Sequence, residues 1–386
     1  MRSPHILPFA VVLVSVLIVP ALSSSAALDV SDTLRVQGSG TAPQLGFACC
    51  DQGIDKAQAL FADPTVSPAL QALHAEVAVA LTDLSPARAA LVQKLNQSAI
   101  PAVAWIILPA DQGYYINADT APQTAARIAA FEHWTRDNHL RWAAVGLDIE
   151  PNFGELSAFK GHPGRLVAAM LHRSFDTARI VRAKALFSAL IARLHSDGYT
   201  VQTYILPYQP AERRVHSTLL DRLLGTVDVR GDQEFLMIYT SFAPPAVRPG
   251  AVWALGPQAH FIALGSTLGD GQPGSLGGPL DWSDFSRDLL VASHFSRIIA
   301  IYDLEGCVRQ GFLPRIQSID WSQSVLLPAV SLHHASERLN IFLPALIFVA
   351  SNILYILLAV LLLLIGLFIR RRQRSRARRA TEAASL

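Results

Sequence analysis

Ala143-Ala144-Val145-Gly146-Leu147-Asp148-Ile149-Glu150-Pro151 is an apolar run closed by two carboxylates spaced i and i+2. Successive side chains of a β-strand alternate faces, so Asp148 and Glu150 share the face of Ala144 and Gly146, while Val145, Leu147 and Ile149 face a second apolar layer. Pro151 lacks a backbone donor and suits the end of a strand. Both acids then stand at the carboxyl-terminal rim, where βα-barrel enzymes keep their active sites.

This stretch, within residues 141–151, is the fourth of eight similar runs; the others are 44–51, 76–83, 101–109, 199–208, 234–241, 260–267 and 297–305. Helix signals lie between them. Ser85-Pro86 reads as an N-cap followed by proline at the first helical position. Ala125, Ile128 and Phe131 recur at helical spacing, and the stripe Leu186, Leu190, Ile191 and Leu194 is stopped by Gly198. Strand and helix in alternation predict a parallel sheet, and eight units over roughly 260 residues have the size of a (β/α)8 TIM barrel. A doubly wound sheet wants a Gly-rich turn after its first strand, where Cys49-Cys50-Asp51-Gln52-Gly53 stands instead. Gly269-Asp270-Gly271-Gln272-Pro273-Gly274 has the formal GxGxxG spacing, but Pro273 and the glycines beyond it start a helix poorly, and the stretch reads as a rim loop.

Both ends of the chain fall outside this pattern. Arg2 and His5 precede an apolar run over residues 6–22, and Ser24-Ser25-Ala26-Ala27 supplies small residues, the pattern of a signal peptide over residues 1–26; an uncleaved anchor is the alternative. Residues 341–369 carry no charge and exceed the ~20 residues needed to cross a bilayer, which predicts one tilted transmembrane helix. Seven arginines follow in the basic tail 370–386, which the positive-inside rule assigns to the cytoplasm, leaving residues 27–336 as an extracytoplasmic barrel of a single-pass cell-membrane protein. The net charge of +2 comes from that tail: with Arg2, the seven arginines and Glu382 set aside, 24 basic residues face 29 acidic ones. Next to a membrane span such a tail serves topology and anionic lipid, and no nucleic-acid partner is expected.

Three cysteines without CxxC spacing, and the lack of HxH and HExxH, argue against a metal or another cofactor. Cys49 and Cys50 end the first barrel strand and Cys307 lies just past the eighth. Those strands are neighbours about 4.8 Å apart in a closed barrel, which predicts a disulfide from Cys307 to Cys49 or Cys50. Asp51, Asp83, Tyr208, Tyr239, Ser241, Ser266, Asp303 and Glu305 complete a polar ring at the strand ends. Ile299, Ile301, Asp303 and Glu305 alternate as Ala144, Gly146, Asp148 and Glu150 do, so a second D-x-E pair is expected on the opposite wall. Asp303, Glu305, Tyr208 and Asp51 are the candidate substrate-binding groups. Adjacent carboxylates relieve their repulsion by sharing a proton, which raises one pKa into the range of a general acid. Glycoside hydrolysis needs such an acid and a second group to support the oxocarbenium-like centre.

Leu147-Asp148-Ile149-Glu150 resembles the end of the D-x-x-D-x-D-x-E signature on the fourth strand of family 18 glycoside hydrolases, the chitinase-like barrels. Met237-Ile238-Tyr239 is similar to their M-x-Y on the sixth strand. The resemblance implies Glu150 as proton donor, Asp148 as the residue that positions an acetamido group and Tyr239 as the ligand of its oxygen. Ala143 and Gly146 stand in place of the earlier aspartates, Thr240 in place of an acid after the tyrosine, and Tyr302 or Leu304 in place of a tryptophan on the eighth strand; the third strand, 103–107, lacks S-x-G-G. Of the Asn-Glu-Pro motif of other barrel glycosidases only Glu150-Pro151 is present, and the seventh strand has no glutamate. The expected protein is a membrane-anchored, extracytoplasmic glycoside hydrolase-like barrel acting on a polysaccharide or glycoconjugate by carboxylate acid catalysis. The alternative is a catalytically inactive barrel that binds glycan or protein. A phosphodiesterase-like barrel would want histidines and metal-binding acids at the first strands, where only Asp51 and Asp83 stand.

Overall fold

A computed structural model describes residues 33–151, 163–244, 246–269 and 278–384, the side chains of 163–167, 171 and 371–384 excepted. The expected signal peptide and most of the rim loop from Gly269 lie outside the described residues. The strands are β1 Thr33–Gln37, β2 Gln44–Cys49, β3 Glu76–Leu81, β4 Ala102–Ile106, β5 Ala144–Asp148, β6 Val201–Ile205, β7 Gln233–Ile238, β8 Phe261–Gly265, β9 Ile298–Tyr302 and β10 Ser324–Pro328. The first helices are α1 Ile54–Ala62, α2 Val66–Ala72, α3 Pro86–Gln97, α4 Ala121–Asp137, α5 Pro163–Phe175, α6 Thr177–Ser196, α7 Gln209–Arg214 and α8 Leu219–Leu224. They are followed by α9 Arg248–Leu255, α10 Trp282–Phe295, α11 Leu304–Arg309, α12 Phe312–Gln317, α13 Ala329–Ser336, α14 Leu343–Ser351 and α15 Ile353–Ala384.

Strands β2 to β9 close into a parallel barrel in chain order, and β9 returns to β2 through the pairs Leu45↔Ile299 and Phe47↔Ile301. This is the expected TIM barrel, with all eight strands in place and shortened at their ends. Local signals explain the helices. Ser85 accepts a hydrogen bond from the Arg88 amide at 3.2 Å to cap α3, and Gly198, at φ +85°, ends the chain turn after α6.

Side-chain size sorts the two faces of each strand. Val145, Leu147, Ile299 and Ile301 are buried under the helices, where branched side chains fill the layer. Ala78, Ala80, Val103, Trp105 and Ala144 form one lumen cluster with Ala48 and Tyr302. Phe235, Met237 and Ala263 form a second with Tyr204, Phe261 and Ala300. Small residues on some strands leave the room that rings from the others fill, as a closed eight-stranded barrel requires. Gly265 is one such position, since a Cβ there would lie 2.6 Å from the Tyr302 carbonyl oxygen.

Two features lie outside the sequence expectations. Strands β1 and β10 form an antiparallel ladder from Thr33↔Pro328 to Gln37↔Ser324, a strap joining the segments before and after the barrel. The segment 341–369 is not one helix. A π-helical turn, Glu337–Phe342, leads into α14, which ends at Asn352, and α15 starts directly after it. Leu343 and Ile347 of α14 are buried in the cluster that includes Ala211, Leu220 and Leu224. The helix able to cross a membrane by length and composition therefore begins at Ile353, with an apolar window Ile353–Arg370 of mean hydropathy 2.8.

Candidate active site at the barrel mouth

β5 ends at Asp148, short of the Pro151 where the sequence reading ends it; Asp148 stands on the lumen face beyond Ala144 and Gly146, and Glu150 follows just past the strand. The β4–α4 loop closes over this end. Ile116 pairs with Ile149, the Glu150 amide donates to the Ile116 carbonyl at 3.1 Å, and the Leu108 amide donates to the Tyr114 carbonyl at 2.8 Å. Thr120 holds the loop by donating to the Tyr115 carbonyl at 3.0 Å. Tyr114 and Tyr115 thus stand over the acids with their rings edge to face at 4.8 Å.

The resulting cavity, about 30 Å³, is lined by Asp51, Trp105, Tyr114, Tyr115, Asp148, Glu150, Tyr204, Tyr239 and Tyr302, with Ala48 and Ala78. It has room for one or two waters. Tyr239 stacks on Tyr302 at 5.7 Å, and Trp105 meets Tyr302 edge-on at 6.3 Å. Asp148, Glu150 and Trp105 line this cavity together. Burial pushes the Asp148 carboxyl up to about 7, against the lowering effect of Glu150 and Trp105 beside it. Burial, and then the charge of Asp148, push Glu150 well above the usual carboxylate range. Burial raises the Tyr239 phenol as well, so it stays a neutral donor. The site therefore offers a proton-carrying carboxyl pair and a phenol inside an aromatic cage, the means to protonate a leaving oxygen.

Asp51, expected from the sequence, lines the same cavity and accepts from the Tyr302 hydroxyl at 3.1 Å. Other expectations are corrected. β9 ends at Tyr302, and its lumen face carries Ala300 and Tyr302, so Asp303 and Glu305 form no second D-x-E pair on the lumen wall. Asp303 caps α11 by accepting from the Gly306 amide at 2.7 Å, and Glu305, in the first turn of that helix, accepts from the Cys50 amide at 2.7 Å. Tyr208 lies beyond β6 at the start of α7, buried, with its hydroxyl bonded to Thr226 and near Asp221, outside the cavity lining. Asp83 caps a turn at Ser85 and pairs with Arg88 at 2.9 Å.

The disulfide also differs from expectation. Cys49 is bonded to Cys50, and Cys307 is a buried free thiol 3.7 Å from the Thr267 hydroxyl. The strand stops at Cys49, Cys50 turns off at φ +74°, and the turn of α11 carries Cys307 toward the loop after β8 rather than toward β2. Ligand atoms of Cys49, Cys50 and Glu305 lie within 4.8 Å of one another, but both sulfurs are committed to the disulfide.

Two groups supporting the site carry no motif. Arg88, fully buried, donates to the Cys50 carbonyl at 3.0 Å, to the Thr82 hydroxyl at 2.7 Å and to Asp83, and so ties the β2 and β3 loops together. Glu76 and Gln202 meet in the lumen at 3.0 Å, and the Tyr204 hydroxyl donates to Gln202 at 3.1 Å. A larger cavity, about 710 Å³, lies outside the barrel between α10, α12 and β10, where Arg315 stacks 4.3 Å over Trp282; it is lined by none of the mouth residues.

No protein-family model matches the chain, and no curated protein does. Among solved structures, a D-allulose 3-epimerase from Methylomonas sp. aligns over 78% of this chain and 100% of its own, at 14% identity and a TM-score of 0.38. A dihydropteroate synthetase aligns over 74% of this chain and 99% of its own, at 10% identity and a TM-score of 0.30.

Proposed function

We propose that the protein is a membrane-anchored, extracytoplasmic glycoside hydrolase-type barrel that cleaves a polysaccharide or glycoconjugate by carboxylate acid catalysis. The observation that carries this reading is the convergence of Asp148, Glu150 and Tyr239 in one aromatic-lined cavity, with both carboxyls raised by burial. Glu150 donates the proton to the glycosidic oxygen. Asp148 and Tyr239 orient an acetamido group whose oxygen supports the anomeric centre, a role that needs no carboxylate from the far wall. Trp105 and Tyr302 offer faces for a sugar ring. Anchoring rests on the apolar window of α15, and the extracytoplasmic side on the arginines that follow it.

The second reading, a barrel that binds without turnover, is favoured by the cavity size: about 30 Å³ under Tyr114 and Tyr115 admits water and no pyranose without loop opening. Reducing-end release from a panel of N-acetylhexosamine polymers by the full chain in detergent separates the two. Hydrolysis by wild type that drops roughly 100-fold or more in Glu150→Gln supports the acid assignment. Binding without release, unchanged in Glu150→Gln, establishes the silent barrel.

A further inference from the structure

Helix α14 is apolar on the side that faces the barrel and equally apolar on the side that does not. Leu343, Pro344 and Ile347 are buried, while Leu346, Phe348 and Val349 are 49%, 52% and 45% exposed, and Ile341 and Phe342 just before them are 64% and 44% exposed. No charged residue occurs from Asn340 to Ile369. A contiguous apolar face of this kind on a folded domain marks a contact with something apolar.

What covers it follows from what comes next in the chain. Asn352 alone separates α14 from α15, and its side chain donates back to the Phe348 carbonyl at 2.8 Å, closing one helix as the next begins. The 18-residue window Ile353–Arg370 is about 27 Å long at 1.5 Å per residue, close to the roughly 30 Å hydrocarbon core of a bilayer. α15 fills the core by itself, and α14 is left at its edge. Nor is α14 free to slide into the core. Leu343 and Ile347 are packed among residues of α7 and α8, and the Ser351 hydroxyl meets that of Ser217, between those two helices, at 2.6 Å.

We infer that α14 is an interfacial helix whose Leu346, Phe348 and Val349 face lies in the headgroup–acyl boundary of the leaflet from which α15 emerges, so that the barrel rests on the membrane by its α7–α8 flank. This rests on the reading of α15 as a membrane span. The barrel is then docked at a fixed orientation, with no free linker between domain and bilayer. The docked flank follows β6, whose Tyr204 is in register with Asp148 of β5, so the acid pair stands one strand away from the membrane-facing side.

The test uses the full chain in phosphatidylcholine liposomes, with single cysteines carrying an environment-sensitive fluorophore and lipids carrying a nitroxide high or low on the acyl chain. Cys307 is buried and Cys49 is bonded to Cys50, so Phe348→Cys, Val349→Cys and Leu361→Cys give the reactive positions. An interfacial helix sits about 5–10 Å into the boundary, so probes at 348 and 349 are quenched by the high nitroxide roughly two-fold more than by the low one. The probe at 361, mid-span, shows the reverse order. Water-like, unquenched probes at 348 and 349 beside a deeply quenched 361 overturn the docking and leave the span standing. Deep quenching at 348 and 349 overturns it too, by placing α14 inside the core. A probe at 361 that no lipid quenches refutes the membrane reading itself, and the inference with it.

Discussion

Asparagine in place of Asp148 should stabilise the barrel at neutral and higher pH, and by an amount that the structure sets. Burial lifts the Asp148 carboxyl from 3.8 to about 7. A carboxyl whose folded pKa is raised keeps a proton that the unfolded chain has already released, so folding stability falls as pH rises from the unfolded value to the folded one. About three units at 1.36 kcal/mol each make the cost about 4 kcal/mol above pH ~7, absent below pH ~4. At about 2.1 cal/mol/K per residue over roughly three hundred residues, this is about 6 °C in Tm. Melting wild type and Asp148→Asn across that range, as full chains in one detergent, reads the effect. The other raised acids, among them Glu212, Asp221, Asp303 and Glu305, give both proteins a common slope, so the difference between them reports position 148 together with Glu150, whose own upward shift the Asp148 charge helps to set. The two should coincide in acid and diverge toward neutrality, with the variant higher. Parallel curves, or a variant that melts lower at every pH, would refute the account of a buried, proton-sharing pair.

Arg88→Met leaves the Cys50 carbonyl and the Thr82 hydroxyl without their buried donor, while Asp83, partly exposed, can be solvated; it should cost about 1–3 kcal/mol, seen as a Tm loss, and a loss below about 1 kcal/mol contradicts its role in joining the β2 and β3 loops. Non-reducing peptide mapping should find Cys49 and Cys50 linked within one peptide and a single alkylatable thiol, Cys307, after unfolding. A cytoplasm-dependent reporter fused after Leu386 should be active, and one fused after Ser324 silent; the opposite result reverses the proposed topology.

The strands were legible because a strand buried on both sides must be apolar throughout, and few other segments of this chain are. The position of Asp148 and Glu150 was legible because alternation gives the face and the apolar run gives out at these two acids, although the strand itself stops at Asp148 rather than at Pro151. The same alternation misled on β9, where Ile299 and Ile301 compete with Ala300 and Tyr302 for the lumen. Size held the missing signal: lumen positions on β5 are Ala144 and Gly146, and Ala300 continues that pattern where isoleucine does not. Tyr208 and Cys307 lie in helix turns past their strands, where side chains follow a different period, so strand alternation gives no direction for either. Nothing in helical periodicity announces that Arg88 turns inward to meet the Cys50 carbonyl, since its partners come from elsewhere in the chain. The break at Asn352 escaped hydropathy, which cannot tell a helix face covered by protein from one covered by lipid.

The strap of β1 and β10 also has a mechanical meaning. Thr33 pairs with Pro328, so the chain enters and leaves this ladder at the same end. Tension applied between the two ends of the described chain pulls the strands apart like a zipper, one rung at a time, rather than shearing all rungs together. A pull through α15 meets the packing of α14 first, then α13, and only then the Thr33–Pro328 rung. The parallel barrel comes after all of these, its strands tied to neighbours on both sides with no free edge to peel. The acid pair is thus held in the part of the molecule that such a pull would disturb last.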